Sequence, residues 1–223
     1  MQLVLPGEEV TLNEPGRTFA RHHHLRGYAA LLVSGACDEA GDCGRFRARA
    51  GDVLVHLPFE AHQDRIGPYG ARIINFHLDD LPNATFGFVA DIDIIVRANE
   101  RDPAEAASLL CEQFHAHQTA HRDWPDLLAD ELSRPYSMRL DHWAEIQGLN
   151  PNSLSRGFKL AYGITPRRFR FEQMVSRAAR STMTSEEALS MIAADAGFAD
   201  QAHMTRAISG MFGVSPSQLR RLS

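Results

Sequence analysis

No stretch of 18 consecutive apolar residues occurs in this chain, and its first residues lack a basic segment followed by an apolar core. These absences argue against a membrane-spanning helix and a secretory leader, so a soluble cytoplasmic protein with no membrane partner is expected. Cysteine is scarce. Cys37, Cys43 and Cys111 are the three present in 223 residues, and their spacing makes no metal ribbon. An odd count without paired spacing reads as reduced thiols rather than a disulfide frame. Cys37 and Cys43 flank Asp38, Glu39 and Asp42, a segment expected to be an exposed acidic hairpin loop rather than a thiol-based sensor.

An excess of basic charge is also missing, since the formal net charge is −5. Taken whole, that argues against a nucleic-acid partner. Divided, it does not. Residues 137–223 carry 10 Arg and 1 Lys against 7 acids, for +4, whereas residues 1–136 carry 12 Arg against 21 acids, for −9. One half suits a polyanion and the other repels it. The chain is long enough for two modest domains, each with its own core.

What the sequence does contain is a repeat. Residues 154–170 and 204–220 align without a gap: Arg156 falls on Arg206, Tyr162 on Phe212, Gly163 on Gly213, Thr165 on Ser215, Pro166 on Pro216 and Arg170 on Arg220. Such a period means one supersecondary unit used twice. Leu154, Phe158 and Tyr162 sit four apart, as do Met204, Ile208 and Phe212, so each set makes one apolar stripe on a helix. Gly163 and Gly213 end those helices, and Thr165-Pro166 and Ser215-Pro216 start new ones. Upstream, Asn150 and Asp200 read as N-caps, preceded by short helices over 140–147 and 188–196 and by Gly148 and Gly197. Helix, glycine-containing turn and second helix is the helix-turn-helix arrangement, whose second helix enters the DNA major groove.

These motifs resemble the DNA-binding domain of the AraC/XylS family of transcriptional regulators. The resemblance is carried by residues 144–159, Gly163-Ile164-Thr165-Pro166, Arg177-Ala178-Ala179-Arg180, Ile192-Ala193, Ala196-Gly197-Phe198, Asp200-Gln201, Arg206 and Gly213-Val214-Ser215-Pro216. It implies a sequence-specific DNA-binding regulator, not an enzyme, whose partners are double-stranded DNA, a small-molecule effector, RNA polymerase and a second copy of the chain. Met204 and Ile208 stand where the family usually has Phe, a change that conserves apolar volume.

Residues 1–100 read as short strands at 2–5, 28–33, 52–57, 71–78 and 86–96, divided by turn signals such as Ser34-Gly35 and Gly67-Pro68. That spacing suggests a sandwich or barrel. His22-His23-His24, residues 51–55 and residues 58–62 resemble a cupin, a small jelly-roll barrel used as the sensor in AraC-type regulators. The expected fold class is therefore α+β in two domains. A cupin-like sensing or dimerisation domain spans 1–121, and an all-α double helix-turn-helix domain spans 124–223.

His22 and His24 share one face of a strand by the period of two, and His62 matches the histidine of the second cupin motif. The three could hold a divalent metal, although residues 25–28 lack the acid that completes the metal-binding pattern, or they could line a pocket for an organic effector. His56 and His77 read as core or rim histidines. Residues 103–121 turn helical through Ala106, Leu109, Leu110, Phe114 and His117, either as a dimer contact or as a cover for the barrel. Residues 126–134 supply a helix with Leu127, Leu128 and Leu132 turned inward.

With the stripes buried, the first recognition helix exposes Asn152, Ser153, Arg156 and Lys159, and the second exposes Gln201, Ala202, His203, Arg206 and Ser209. Arg matches a guanine edge and Asn or Gln an adenine edge, so Asn152, Arg156, Gln201 and Arg206 are the expected base readers. Residues 165–182 make one long helix of about 27 Å, near the roughly 34 Å between successive major-groove faces. Thr165, Arg167, Arg168, Arg170 and Ser215 are the expected phosphate contacts. Two other readings remain open: a metal-dependent cupin enzyme with an attached helical domain, and a constitutive DNA binder whose barrel only dimerises.

Overall fold

The computed structural model describes residues 10–78, 80–118 and 122–221. The strand expected over 2–5 lies outside them. The chain divides into two compact units, residues 1–121 and 122–223.

The first unit is built on one antiparallel sheet, eight-stranded among the described residues. Its strands are β1 (Val10–Asn13), β2 (Thr18–His23), β3 (Tyr28–Gly41), β4 (Gly44–Arg49), β5 (Asp52–His56), β6 (Ala61–Phe76), β7 (Phe86–Phe88) and β8 (His115–Ala116). The order is β1-β6-β3-β5-β7-β8, with β2 added on β6 and β4 on β3. The long strands β3 and β6 pair along their whole length and carry different neighbours at each end: β5 and β1 at one, β4 and β2 at the other.

Ser34-Gly35 and Gly67-Pro68, which the sequence marks as turns, lie inside β3 and β6. The ladder shifts register there, between Leu32 and Ser34 and again between Gly35 and Cys37. Gly35 and Gly70 both have positive φ, 80° and 78°. A Cβ on Gly35 would collide with the Gly70 backbone, so these residues are spent on a bulge in a continuous strand pair instead of on chain reversals.

Residues 86–96 also differ from expectation. Only three form β7; then Asp91 accepts a hydrogen bond from the Ile94 amide and opens α1 (Ile92–Asn99). Its β-branched run imitates a strand, but Ile92, Ile95 and Val96 at helical spacing face the sheet. Next comes α2 (Pro103–Gln113), and Ala106 and Leu110 bury against Ala29, Leu31, Val53 and Ile74 of the sheet. The helices therefore cover one sheet face, each fully buried Leu or Ile contributing roughly 1.5–3 kcal/mol.

The second unit is all-helical: α3 (Trp124–Ser133), α4 (Leu140–Ile146), α5 (Pro151–Tyr162), α6 (Pro166–Thr184), α7 (Leu189–Ala196), α8 (Gln201–Phe212) and α9 (Pro216–Leu219). In α3, Leu128, Ala129 and Leu132 are buried, whereas Leu127 is turned outward. The long helix α6 packs against α3 and α5 on one side of the repeat and against α7, α8 and α9 on the other. Leu128, Leu132, Trp143, Leu154, Phe158, Tyr162 and Phe169 form one continuous apolar core. Among the described residues, no helix is long and apolar enough to cross a membrane.

Candidate functional site

Two constellations carry chemistry, one in each unit. In the helical unit, α5 and α8 are built alike. Asn150 caps α5 by accepting from the Asn152 amide at 2.9 Å, and Asp200 caps α8 by accepting from the His203 amide at 2.6 Å. Each ends on a left-handed glycine, Gly163 at φ 74° and Gly213 at φ 73°. Burial of Leu154, Phe158 and Tyr162 fixes the rotation of α5 and leaves Asn152, Ser153, Arg156 and Lys159 exposed. Burial of Met204, Ile208 and Phe212 does the same for α8. There Gln201, Ala202 and Arg206 are exposed, while His203 and Ser209 are half-buried. The His203 ring stands edge-on to Phe198 with centroids 5.1 Å apart. One turn beyond Arg156, Leu160 is 88% exposed. The stripe argument did not single it out.

The expected phosphate contacts divide. Thr165 caps α6 by accepting from the Arg168 amide, and Arg167 is exposed beside it. The Arg168 side chain donates to Glu172 at 2.7 Å. Arg170 is half-buried and donates to the Met138 carbonyl at 2.7 Å. Ser215 is engaged in a capping box with Gln218.

In the β unit, the ladder itself assembles the histidines. His22 of β2 lies directly opposite His62 of β6, and Glu39 of β3 lies directly opposite Asp64. His62 and Asp64 share a face by the strand period of two, so one strip of sheet carries all four groups. His24 follows β2 and is held there by backbone bonds to Phe59 and Glu60. The His62 Nε2 lies 3.0 Å from the Nε2 of His22 and 3.0 Å from the Nε2 of His24. The Tyr28 hydroxyl is 3.3 Å from the Nε2 atoms of both His24 and His62. On its other edge, His62 Nδ1 is 3.0 Å from Glu39 Oε2, which is itself 3.5 Å from His56 Nε2.

Burial disfavours the charged form of His24, His56 and His62. It pushes His24 down to about 3, helped by His62, and His56 to about 3 despite the opposing pull of Glu39. His62 is also lowered well below the usual histidine range, by burial first and then by His22. Burial raises Glu39, and burial with the neighbouring Glu39 carboxylate pushes Asp64 up to about 8. Asp64 hydrogen-bonds Glu39, and burial beside that carboxyl favours its protonated form. The Tyr28 phenol, buried near these acids, is raised well above its ordinary value and stays protonated.

Sequence reasoning found His22, His24 and His62 but not Tyr28, Glu39, His56 or Asp64. Glu39 was placed in an exposed loop, whereas β3 continues through it to Gly41 and buries both Glu39 and Cys37. Only Asp42 and Cys43 make the reversal, and the Cys43 thiol donates to Glu60 Oε1 at 2.7 Å. The available signal was the His62-x-Asp64 pair facing a strand that alternates through Cys37 and Glu39.

A family model described as a helix-turn-helix domain matches residues 143–222. A search of curated proteins gives no match. Among solved structures, the C-terminal domain of AraT, a response regulator from Geobacillus stearothermophilus, is 26% identical with a TM-score of 0.38, over 44% of this chain and 81% of that one. A transcriptional regulator from Chromobacterium violaceum with an AraC-type DNA-binding domain is 22% identical with a TM-score of 0.38, over 41% of this chain and 81% of its own. ToxT from Vibrio cholerae is 12% identical with a TM-score of 0.42, over 95% of this chain and 97% of its own. The matched segment begins within α4 and takes in α5 through α9, and therefore both helix-turn-helix units. Residues 143–222 therefore form a helix-turn-helix domain.

Proposed function

We propose that this chain is a sequence-specific transcriptional regulator in which α5 and α8 both read DNA and the β unit receives a small effector. The observation that carries the reading is the twofold presentation of one surface. Arg156 and Arg206 occupy equivalent, exposed positions on two equally capped helices. A single exposed arginine is ordinarily a solvated charge. Two at matching repeat positions, with Asn152 and Gln201 near the same helix N-termini, suit guanine and adenine edges in the major groove.

Arg167 and the Thr165 end of α6 position the backbone without reading sequence. Arg168, Arg170 and Ser215 have intramolecular duties already, so their contribution is to hold the scaffold. In the β unit the cluster of His22, His24 and His62 is the effector site. Its occupation would alter DNA occupancy or contact with RNA polymerase, and a homodimer would present paired recognition surfaces to paired half-sites.

The test is a pull-down of fragmented genomic DNA with the purified full chain, followed by sequencing of what is retained. A shared motif of two blocks about one helical turn apart is expected. A single block would remove one helix from the reading, and recovery without any shared motif at moderate salt would overturn it.

A further inference from the structure

We propose that Leu160 reads the C5-methyl group of a thymine in the DNA block bound by α5, an inference that rests on the reading of α5 as a base-reading helix and extends it to one more residue and one more base.

A leucine left in solvent is ordinarily no signal. This one is set apart by its place. Leu154, Phe158 and Tyr162 bury one side of α5, and Leu160 is 88% exposed on the other. At 3.6 residues per turn, Asn152 and Leu160 lie about 40° to either side of Arg156, so the three make one exposed row. Helical side chains lean toward the N-terminus of their helix, which carries Leu160 back over the turn that holds Arg156. Whatever Arg156 meets, Leu160 meets beside it.

The fold does not require a leucine there. The equivalent residue of α8, fifty positions on, is Gly210, exposed, and a Cβ added to it would meet nothing within 4 Å. A position open to solvent in both copies of the unit makes no packing demand on its side chain. Lys159 likewise matches Ser209, so the row on α8 ends at Arg206 while that on α5 continues for another turn.

The chemistry of the row selects its partner. Asn matches an adenine edge and Arg a guanine edge, and the major-groove feature that takes an apolar side chain is the thymine methyl. Among the described residues, Leu160 is the one large apolar side chain of α5 that is exposed, and exposed Arg156 and Lys159 flank it. A cationic surface with a single apolar spot suits a polyanion that displays methyl groups better than it suits an apolar protein face. Residues four apart on a helix are about 6 Å apart along its axis, close to two base-pair steps of about 3.4 Å. The first block should therefore present adenine, guanine and thymine in that order, on either strand and about two base pairs from one to the next.

The probes are synthetic duplexes of the motif recovered in the pull-down, with each thymidine replaced in turn by deoxyuridine, which lacks only the methyl. Full-length parent, Leu160→Ala and Arg156→Ala chains are titrated at one salt concentration, and thermal melting checks that each is folded. One deoxyuridine in the first block should weaken the parent about fourfold, the effect of one buried methyl. Leu160→Ala should lose at least about as much on the thymine probe and be indifferent to that deoxyuridine, because the two changes remove one contact. Deoxyuridine in the second block should show no such coupling to Leu160. A folded Leu160→Ala chain that binds as tightly as the parent would overturn the proposal and leave Leu160 to a protein contact. Losses that multiply would overturn it as well, by making the effect of Leu160 independent of the methyl. Arg156→Ala separates these results from the reading beneath them. Full affinity and unchanged base preference in that variant, or no shared motif at all, would remove α5 as a reader and the thymine contact with it. A loss in Arg156→Ala but none in Leu160→Ala would strike the thymine contact alone.

Discussion

Arg170 and Arg220, fifty residues apart in the repeat, make the same contact. The Arg170 guanidinium donates to the Met138 carbonyl, two residues before α4, and that of Arg220 donates to the Glu187 carbonyl, two residues before α7. Each arginine stands four residues beyond the proline that starts the next helix, Pro166 or Pro216, and ties that helix to the entrance of the first helix of its repeat. The repeat is thus a closed clasp used twice, and its shared arginine has a structural reason to be there.

This separates two neighbouring arginines that composition alone would group. Arg170→Ala removes a charge-assisted hydrogen bond and should cost about 1.5–3 kcal/mol, read as a lower melting temperature. Arg167→Ala, at an exposed site, should leave the melting temperature within error and lower the salt slope of DNA binding by about one. Equal melting temperatures for the two variants would remove the clasp from the account.

A glycine with no turn to make gives a second prediction. Gly157 lies inside α5, and a Cβ there would come within 2.6 Å of the Trp124 ring. Alanine ordinarily improves a helix interior by about 1 kcal/mol. Here overpacking against an indole should outweigh that gain, so Gly157→Ala destabilises by about 1–3 kcal/mol on denaturant unfolding. A stabilised variant would mean that Trp124 yields without cost.

Much of the helical unit was legible because its signals are local. Apolar stripes four apart, the caps Asn150 and Asp200, and the left-handed Gly163 and Gly213 each act within a turn or two of themselves. The β unit was less legible because its determinants are long-range. Ser34-Gly35 and Gly67-Pro68 carry turn chemistry, but their positions across from one another convert it into a bulge. Glu39 reads as a loop acid until the register sets Asp64 against it and His62 beside it. Arg168 and Arg170 show the same limit, since sequence places them at a helix start but not the Glu172 and Met138 atoms that engage them.

The exchange of Tyr162 for Phe212 across the repeat supports a third prediction. Tyr162 matches Phe212, and α5 and α6 pack against α3, whose buried Asp126 accepts from the Tyr162 hydroxyl at 2.7 Å. Tyr162→Phe keeps the ring stack on Phe158 and removes this donor, so it should cost about 1–3 kcal/mol. Asp126→Asn with Tyr162→Phe should cost less than the two single changes together if the pair is coupled. Strict additivity in chemical denaturation would deny the coupling.

The thiols should behave unequally. Burial raises Cys37 and Cys43, with Asp64 adding to the first and Glu60 to the second. Cys111 lies exposed on α2 and is raised less, by modest burial and then by Asp80. Since the thiolate is the reactive form, one thiol per folded chain should react readily with a disulfide reagent at pH 8, and three after unfolding. Cys111→Ser should abolish the fast phase. A fast phase persisting in that variant would return Cys43 to candidacy as a redox-active site.

The base-reading assignment makes the last prediction, and it is chosen to separate reading from folding. Arg156 and Arg206 are exposed, and Arg206 holds its place because Met204 and Ile208 on either side are buried. Arg206→Ala should leave the melting temperature unchanged and weaken binding to the enriched motif by about 1–3 kcal/mol at fixed salt. It should relax preference in one block of that motif, whereas Arg156→Ala relaxes the other, because each helix meets its own stretch of groove. The two losses should add, as expected for sites with no shared partner. Loss of affinity for motif and random DNA alike would make Arg206 a phosphate contact instead. Unchanged affinity for both would leave α8 as a packing element, and sequence recognition would then rest on α5.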